Sequence, residues 1–209
     1  MPTINIATTS GGVSNQGTVY STVHNATTGS AAGAYPSTGT IGQSQIGSTY
    51  RVFRGFLAFD TSTIIGVPAS ATINLTITLV DTAKYICVAA LKPSLTTNIA
   101  TTDFAAYTVG SAYTSTFTAA AGLNTITLNS IALSNMDTLT TFRVAILGLN
   151  DVNSIAPTGI SETDTLGYST GIPYISYVVG GYTKRIYSLT TMNKVDNVLK
   201  SAISKIDGV

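Results

Sequence analysis

Apolar and polar residues alternate with a period of two through most of this chain. In RVFRGFLAFD, Phe53, Leu57 and Phe59 fall on one face of a strand and Arg54 and Phe56 on the other. ATINLTITLV alternates strictly, with Ile73, Leu75, Ile77 and Leu79 inward and Asn74, Thr76 and Thr78 outward, and VPAS supplies the turn before it. KYICVAAL is apolar on both faces, which predicts a strand in the middle of a sandwich. NTITLNS, TFRVAILGL and PYISYVV follow, separated by Gly, Asn, Asp and Pro clusters. Short strands at this spacing predict an all-β fold, an antiparallel sandwich or barrel. The expected single core comprises Leu57, Phe59, Ile73, Leu75, Ile77, Leu79, Val88, Ile126, Leu128, Val144 and Ile146.

Residues 1–50 are dominated by Gly, Ser, Thr and Asn, with short alternations such as TINIA and TVYSTVH that predict two or three strands. TTGSAAGAYPSTGTIGQSQIGS reads as a long exposed loop. In the body only TDFAAYTVG and SIALSNMD suit a helical turn.

The end of the chain breaks the period. Met192, Val195, Leu199, Ala202, Ile206 and Val209 are spaced three and four apart, a seam on one side of a helix. This predicts two parts, a β domain over residues 1–181 and a helical docking segment over 182–209. The segment holds Lys184, Arg185, Lys194, Lys200 and Lys205 against Asp196 and Asp207, five minus two, or +3, while residues 1–181 sum to −2. An isolated helix of this length is marginal in water, so its apolar stripe needs a surface. That surface is a second copy, a neighbouring subunit or the chain's own sandwich.

Composition narrows the function. Charged residues are only 9% of the 209 and the net charge is +1, so Thr, Ser, Gly and Asn carry solubility. No long basic run points to nucleic acid. No stretch of about 18 apolar residues predicts a membrane span, although mean hydropathy is +0.33. MPTINIATTSGG has neither the basic nor the apolar region of a secretory signal, so a cytoplasmic origin is expected. With this surface-type composition, the expected location is a virion, the alternative being extracellular or at a cell surface.

Candidate chemistry is sparse. Cys87, the only cysteine, lies in an apolar strand pattern and reads as a buried hydrophobe. His24 is the only histidine, so no zinc site or catalytic triad is expected. Glu162 and Asp164 stand two apart in GISETDTLG, where an extended loop would put both on one face; Asp60 ends a strand before Thr-Ser-Thr and suits an Asx turn. A structural calcium site from Asp60, Asp151, Glu162 or Asp164 with loop carbonyls is the one cofactor these acids allow, and no EF-hand spacing marks it. Two Asn-x-Thr acceptors, at Asn25 and Asn74, are idle in a cytoplasmic product. Tyr35, Tyr50, Tyr113 and Tyr168 fall in loop-like or edge-like places, where rings either stack on sugars or cover the ends of the sandwich.

RGFLAFDTSTI with PASATINLTITL resembles the signature strand pair of DNRLRE-type jelly-roll domains, and NTITLNSIAL, APTGISETDTLGYST and PYISYVV match that family's later strands in order. The resemblance spans about residues 13–179. ISKIDGV and MNKVDNV resemble short terminal repeats of phage structural proteins. The two likenesses imply a jelly-roll sandwich used in carbohydrate binding, adhesion or virion architecture. The expected function is a non-catalytic structural or attachment protein of a phage-like virion, self-associating and contacting other virion proteins. A carbohydrate-binding module for cell-surface glycans is the alternative; a glycan-cleaving enzyme ranks last because acids are few.

Overall fold

Most of the alternating segments form strands where the pattern places them. The computed structural model describes residues 1–34, 39–79, 84–158, 162–166, 172–180, 194–195 and 198–199. In chain order the elements are β1 (Thr3–Asn5), β2 (Gly11–Gly17), α1 (Tyr20–His24), β3 (Ala31–Ala34), β4 (Gly39–Ile46), β5 (Thr49–Asp60), β6 (Ser70–Leu79) and β7 (Lys84–Ala90). A 3-10 turn at Thr101–Asp103 precedes β8 (Tyr107–Ala112), β9 (Phe117–Thr118), β10 (Gly122–Thr127), α2 (Ser130–Thr138), β11 (Thr141–Gly148), α3 (Leu149–Val152), β12 (Glu162–Leu166) and β13 (Tyr174–Val178).

The strands make an antiparallel β-sandwich. One layer runs β10–β6–β13–β1. The other centres on β5, which has β2 along one edge and β4 and β11 along the opposite edge. From β11 this layer continues to β7, and from β7 to β8 and β9. Two crossings join the layers. β12 pairs with β4 and, through a register shift at Thr165 and Leu166, with β6. Ile6, directly after β1, bridges to Phe59 of β5.

Between the layers lies a cluster that includes Ile41, Leu57, Phe59, Ile73, Leu75, Ile77, Ile126, Leu128, Val144, Ile146 and Ile175. The strict alternation of β6 thus has the expected register; the Leu79 side chain lies outside the described residues. Helix α2 closes one end of this core. Its cap is Asn129, whose side chain accepts from the Ala132 amide at 3.1 Å. Ala132 and Met136, four apart, plug the core beneath it.

Four expectations need correction. First, the core is double. Val88 sits in a second cluster, on the opposite face of the β5 layer, with Val52, Phe56, Ala145 and Leu147, covered by Val23, Ile99 and Phe104. This is why β5, β7 and β11 are apolar on both faces. Second, TVYSTVH is a short helix, α1, because a helical turn puts Val23 into that second cluster while the His24 carbonyl and ring reach buried partners. Third, the long Gly/Ser/Thr stretch read as a loop contains β3 and β4. Strand β4 is a largely buried strand beside β5, with Ile41 fully enclosed. Its small residues allow tight packing: a Cβ on Gly148 would fall 3.3 Å from the Cα of Gly42, itself at φ 111°, a value that glycine adopts freely. Fourth, the four described residues of the tail are extended, not helical: β14 (Lys194–Val195) pairs antiparallel with β15 (Val198–Leu199).

Candidate functional site

Arg54 sits on the inward-facing parity of a strand buried on both sides, so its charge must be answered inside the protein. Asp151, in α3, answers it. Arg54 Nε donates to Asp151 Oδ2 and Nη2 to Oδ1, both at 2.8 Å. Nη1 donates to the Phe104 carbonyl at 3.0 Å and Nη2 to the His24 carbonyl at 3.1 Å. The guanidinium lies 4.0 Å from the Phe104 ring centroid and 4.8 Å from that of Tyr107. His24 adds a ring nitrogen, Nε2, 2.7 Å from the Asp151 carbonyl oxygen and 3.4 Å from Oδ1. One residue of β5 therefore pins three separate segments: α1, α3 and the turn at Thr101–Asp103. Burial raises the Tyr107 phenol above its ordinary value; the Arg54 charge opposes this and the Asp151 charge adds to it. The cluster is enclosed: Arg54 and Asp151 are each 1% exposed. It is an anchor whose polar atoms point at one another.

This disposes of one expected metal ligand. Asp151 is committed to Arg54 and closed from solvent, so it holds no surface calcium. Asp60 is exposed and accepts from the Ser62 amide at 3.0 Å and the Ser62 hydroxyl at 2.6 Å, the expected Asx turn. Glu162 and Asp164 lie in a strand, not a loop, opposite Gln43 and Ile41; their side chains lie outside the described residues. Gln43 faces Val52 across β5, eight residues before Asp60, a separation of about 26 Å at strand rise. The four acids do not converge on one site. Among the described residues no group of three His, Cys, Asp or Glu side chains is placed to hold a metal ion.

The tyrosines divide similarly. Tyr113 is 2% exposed, stacked on Phe142 with centroids 5.0 Å apart, and its hydroxyl accepts from Asn135 Nδ2 at 2.7 Å. It is a core residue and offers no sugar platform, because the segment after β8 folds in along β7. Tyr50 is half-buried and packs edge-on against Tyr20, 5.7 Å away. Tyr35 and Tyr168 lie outside the described residues, as do Met192, Ala202, Ile206 and Val209 of the proposed seam; Val195 and Leu199 stand in the short ladder.

What the sandwich presents outward is mostly uncharged. Across β10, β6 and β13 the outer face carries Thr125, Asn74, Thr72 and Ser176, joined by hydrogen bonds of 2.9–3.2 Å. Asn74 faces outward as expected, yet these neighbours leave it only 4% exposed.

Six of the fourteen exposed large apolar side chains among the described residues belong to segments that meet at one end of the sandwich: Met1, Ile65, Val67, Leu139, Val178 and Val179. The register gathers them. Val178 pairs with Ser70 and accepts from the Ala69 amide, Tyr177 donates to the Pro2 carbonyl, and Thr61 binds the Leu139 carbonyl. Gly180 touches the same loop so closely that a Cβ would lie 1.9 Å from the Val67 carbonyl oxygen. Sequence reasoning missed this patch and the Arg54 cluster. An arginine two residues from both Val52 and Phe56 was the available signal for the cluster; the patch had none, since loop and strand meet only in the fold.

The architecture defines the chain as an antiparallel β-sandwich protein. No known protein-family model matches the chain, and no curated protein matches it.

Proposed function

We propose that the chain is a non-catalytic structural or attachment protein of a phage-like particle, assembling through residues 182–209. The observation that supports this is that end of the sandwich, where Ile65 is 72% exposed and Val67, Val178 and Val179 are 47%, 40% and 54% exposed. Large apolar side chains left exposed together at one end of a domain point to an interaction site. It lies beside Gly180, and residues 182–209, which follow in sequence, carry a +3 charge against −2 for residues 1–181 and several apolar residues. The occupant we assign to this end is residues 182–209 of a neighbouring copy. The resemblance of ISKIDGV to phage terminal repeats supports the same reading.

The test is light scattering on size-exclusion chromatography of three proteins: the whole chain, the chain ended after Gly181, and the whole chain with Val178→Lys and Val179→Lys. The whole chain should run as an oligomer, and both variants should lose that mass while keeping their circular dichroism and melting temperature. A truncated chain that assembles normally, or a body that unfolds without residues 182–209, overturns the proposal.

A further inference from the structure

Leu57 and Phe59 enter the core from one face of β5; Arg51 and Phe53, earlier on the same face, stay outside it and partly exposed. Register puts Gln16 and Ser44 on either side of Arg51, and Ser14 and Gly42 on either side of Phe53. In the next row Gly55 stands opposite Gly12, and Gly12 opposite Gly33. Glycines thus replace side chains around Phe53, and a hollow is left. It consists of two cavities that share Ser14 and Phe53 as walls. One, of about 190 Å³, adds Arg51, Asn15 and Gln16; the other, of about 260 Å³, adds Gly12, Gly33 and Thr40. Arg51 is the unanswered charge of this hollow. Its Nε is buried and meets no hydrogen-bond acceptor. The two ion pairs among the described residues both belong to Asp151, and neither reaches Arg51. Three positions along, Arg54 shows what satisfies a desolvated guanidinium in this chain: a carboxylate on two nitrogens, with aromatic rings beside it. Arg51 has the aromatic neighbour and lacks the carboxylate.

We propose that the hollow binds a small ring-bearing monocarboxylate, its carboxylate on the Arg51 guanidinium and its ring against Phe53. A planar guanidinium matches a carboxylate with two parallel hydrogen bonds. Arg51 is the only charged residue in either lining, so the site answers one negative charge and not a phosphate dianion. Phe53 offers an aromatic surface to the C–H face of a sugar or to another ring. Ser14, Gln16 and Thr40 add neutral polar groups for ring substituents. Each cavity is smaller than the sites that enclose drug-sized ligands, and suits a single ring. Two sources share this chemistry, an aromatic acid and an acidic sugar, and the probes below separate them. The site goes beyond attachment through residues 182–209, uses none of them and does not depend on that reading.

The test is saturation-transfer NMR on the whole chain, titrated with sodium benzoate, sodium glucuronate and their uncharged counterparts benzamide and glucose. At least one acid should bind saturably and about tenfold or more tightly than its counterpart. The tighter acid identifies the source: benzoate an aromatic acid, glucuronate an acidic sugar. Arg51→Gln should weaken that binding about tenfold or more. Arg51→Lys keeps the charge without the planar fork and should restore only part of it. Gly12→Val should weaken binding with Arg51 intact. A β-carbon there would stand 3.6 Å from the Arg54 carbonyl oxygen and 3.9 Å from that of Thr40, ordinary contacts, while the methyl groups beyond it occupy the hollow. Circular dichroism and the mass by light scattering should stay those of the parent chain in all three variants, which separates this site from assembly through residues 182–209. No saturable binding of either acid, equal binding of the uncharged counterparts, acid binding that survives Arg51→Gln, or inorganic phosphate bound as tightly as the acids would each overturn the site.

Discussion

Arg54 and Asp151, ninety-seven residues apart, meet in a two-bond ion pair at 2.8 Å with both side chains closed from water. A buried pair of this kind is weak as a source of net stability but costly to break, because removing one partner strands the other charge in a low dielectric. Asp151→Ala should therefore cost about 3–5 kcal/mol. The double variant Arg54→Met, Asp151→Leu should cost clearly less than the sum of the two single changes. Urea denaturation of the four proteins measures the coupling. Additive effects would mean that the pair is not desolvated in solution.

Leu75 is 1% exposed in the centre of β6, between neighbours that alternate outward. Leu75→Ala should lower stability by about 2–5 kcal/mol through lost burial and an incompletely collapsed cavity. Thr76→Ala, one position along on the outer face, should cost far less. Equal effects would mean that the register is shifted by one residue.

Cys87 is fully enclosed, and burial pushes its thiol up to about 12, opposed only in part by the Thr114 hydroxyl. At pH 8 the thiolate is then about one part in ten thousand, and no reagent can approach it. The folded protein should be silent to a thiol-disulfide indicator for hours, and denaturant should release one thiol per chain. Rapid reaction in the folded state would contradict the enclosure.

The Ser62 hydroxyl, then the Ser62 amide, hold the Asp60 carboxyl below its ordinary value. A carboxylate depressed in the folded state adds stability above the unfolded range near about 4 and loses it as pH falls through the folded value. Carboxyl NMR titration should place Asp60 below an ordinary aspartate, and Ser62→Ala should move it upward. A midpoint that ignores Ser62 would refute the turn as its cause.

Most strands were legible because period-two alternation is a local property. Ile73, Leu75 and Ile77 needed only their own neighbours in sequence to declare a face. The same pattern foretold a strand apolar on both sides at KYICVAAL and an outward Asn74. What it could not say was which apolar face meets which partner. Val88 and Leu57 look alike in sequence, and only the turn carrying Phe104 and the short helix carrying Val23 separate them into two cores. TVYSTVH alternates like a strand, but the buried partners available to His24 and Val23 favour a helical turn; tertiary contacts outweighed a weak local preference. Tyr113 and Asp151 have the residue types of surface sites, and long-range packing against Phe142 and Arg54 made both interior. The sequence by itself therefore determined an all-β chain, its main strands and its low charge, since these follow from spacing and composition. The tertiary structure alone decided the two cores, the buried ion pair and the exposed apolar side chains gathered beside Gly180, because each arises where segments distant in sequence meet.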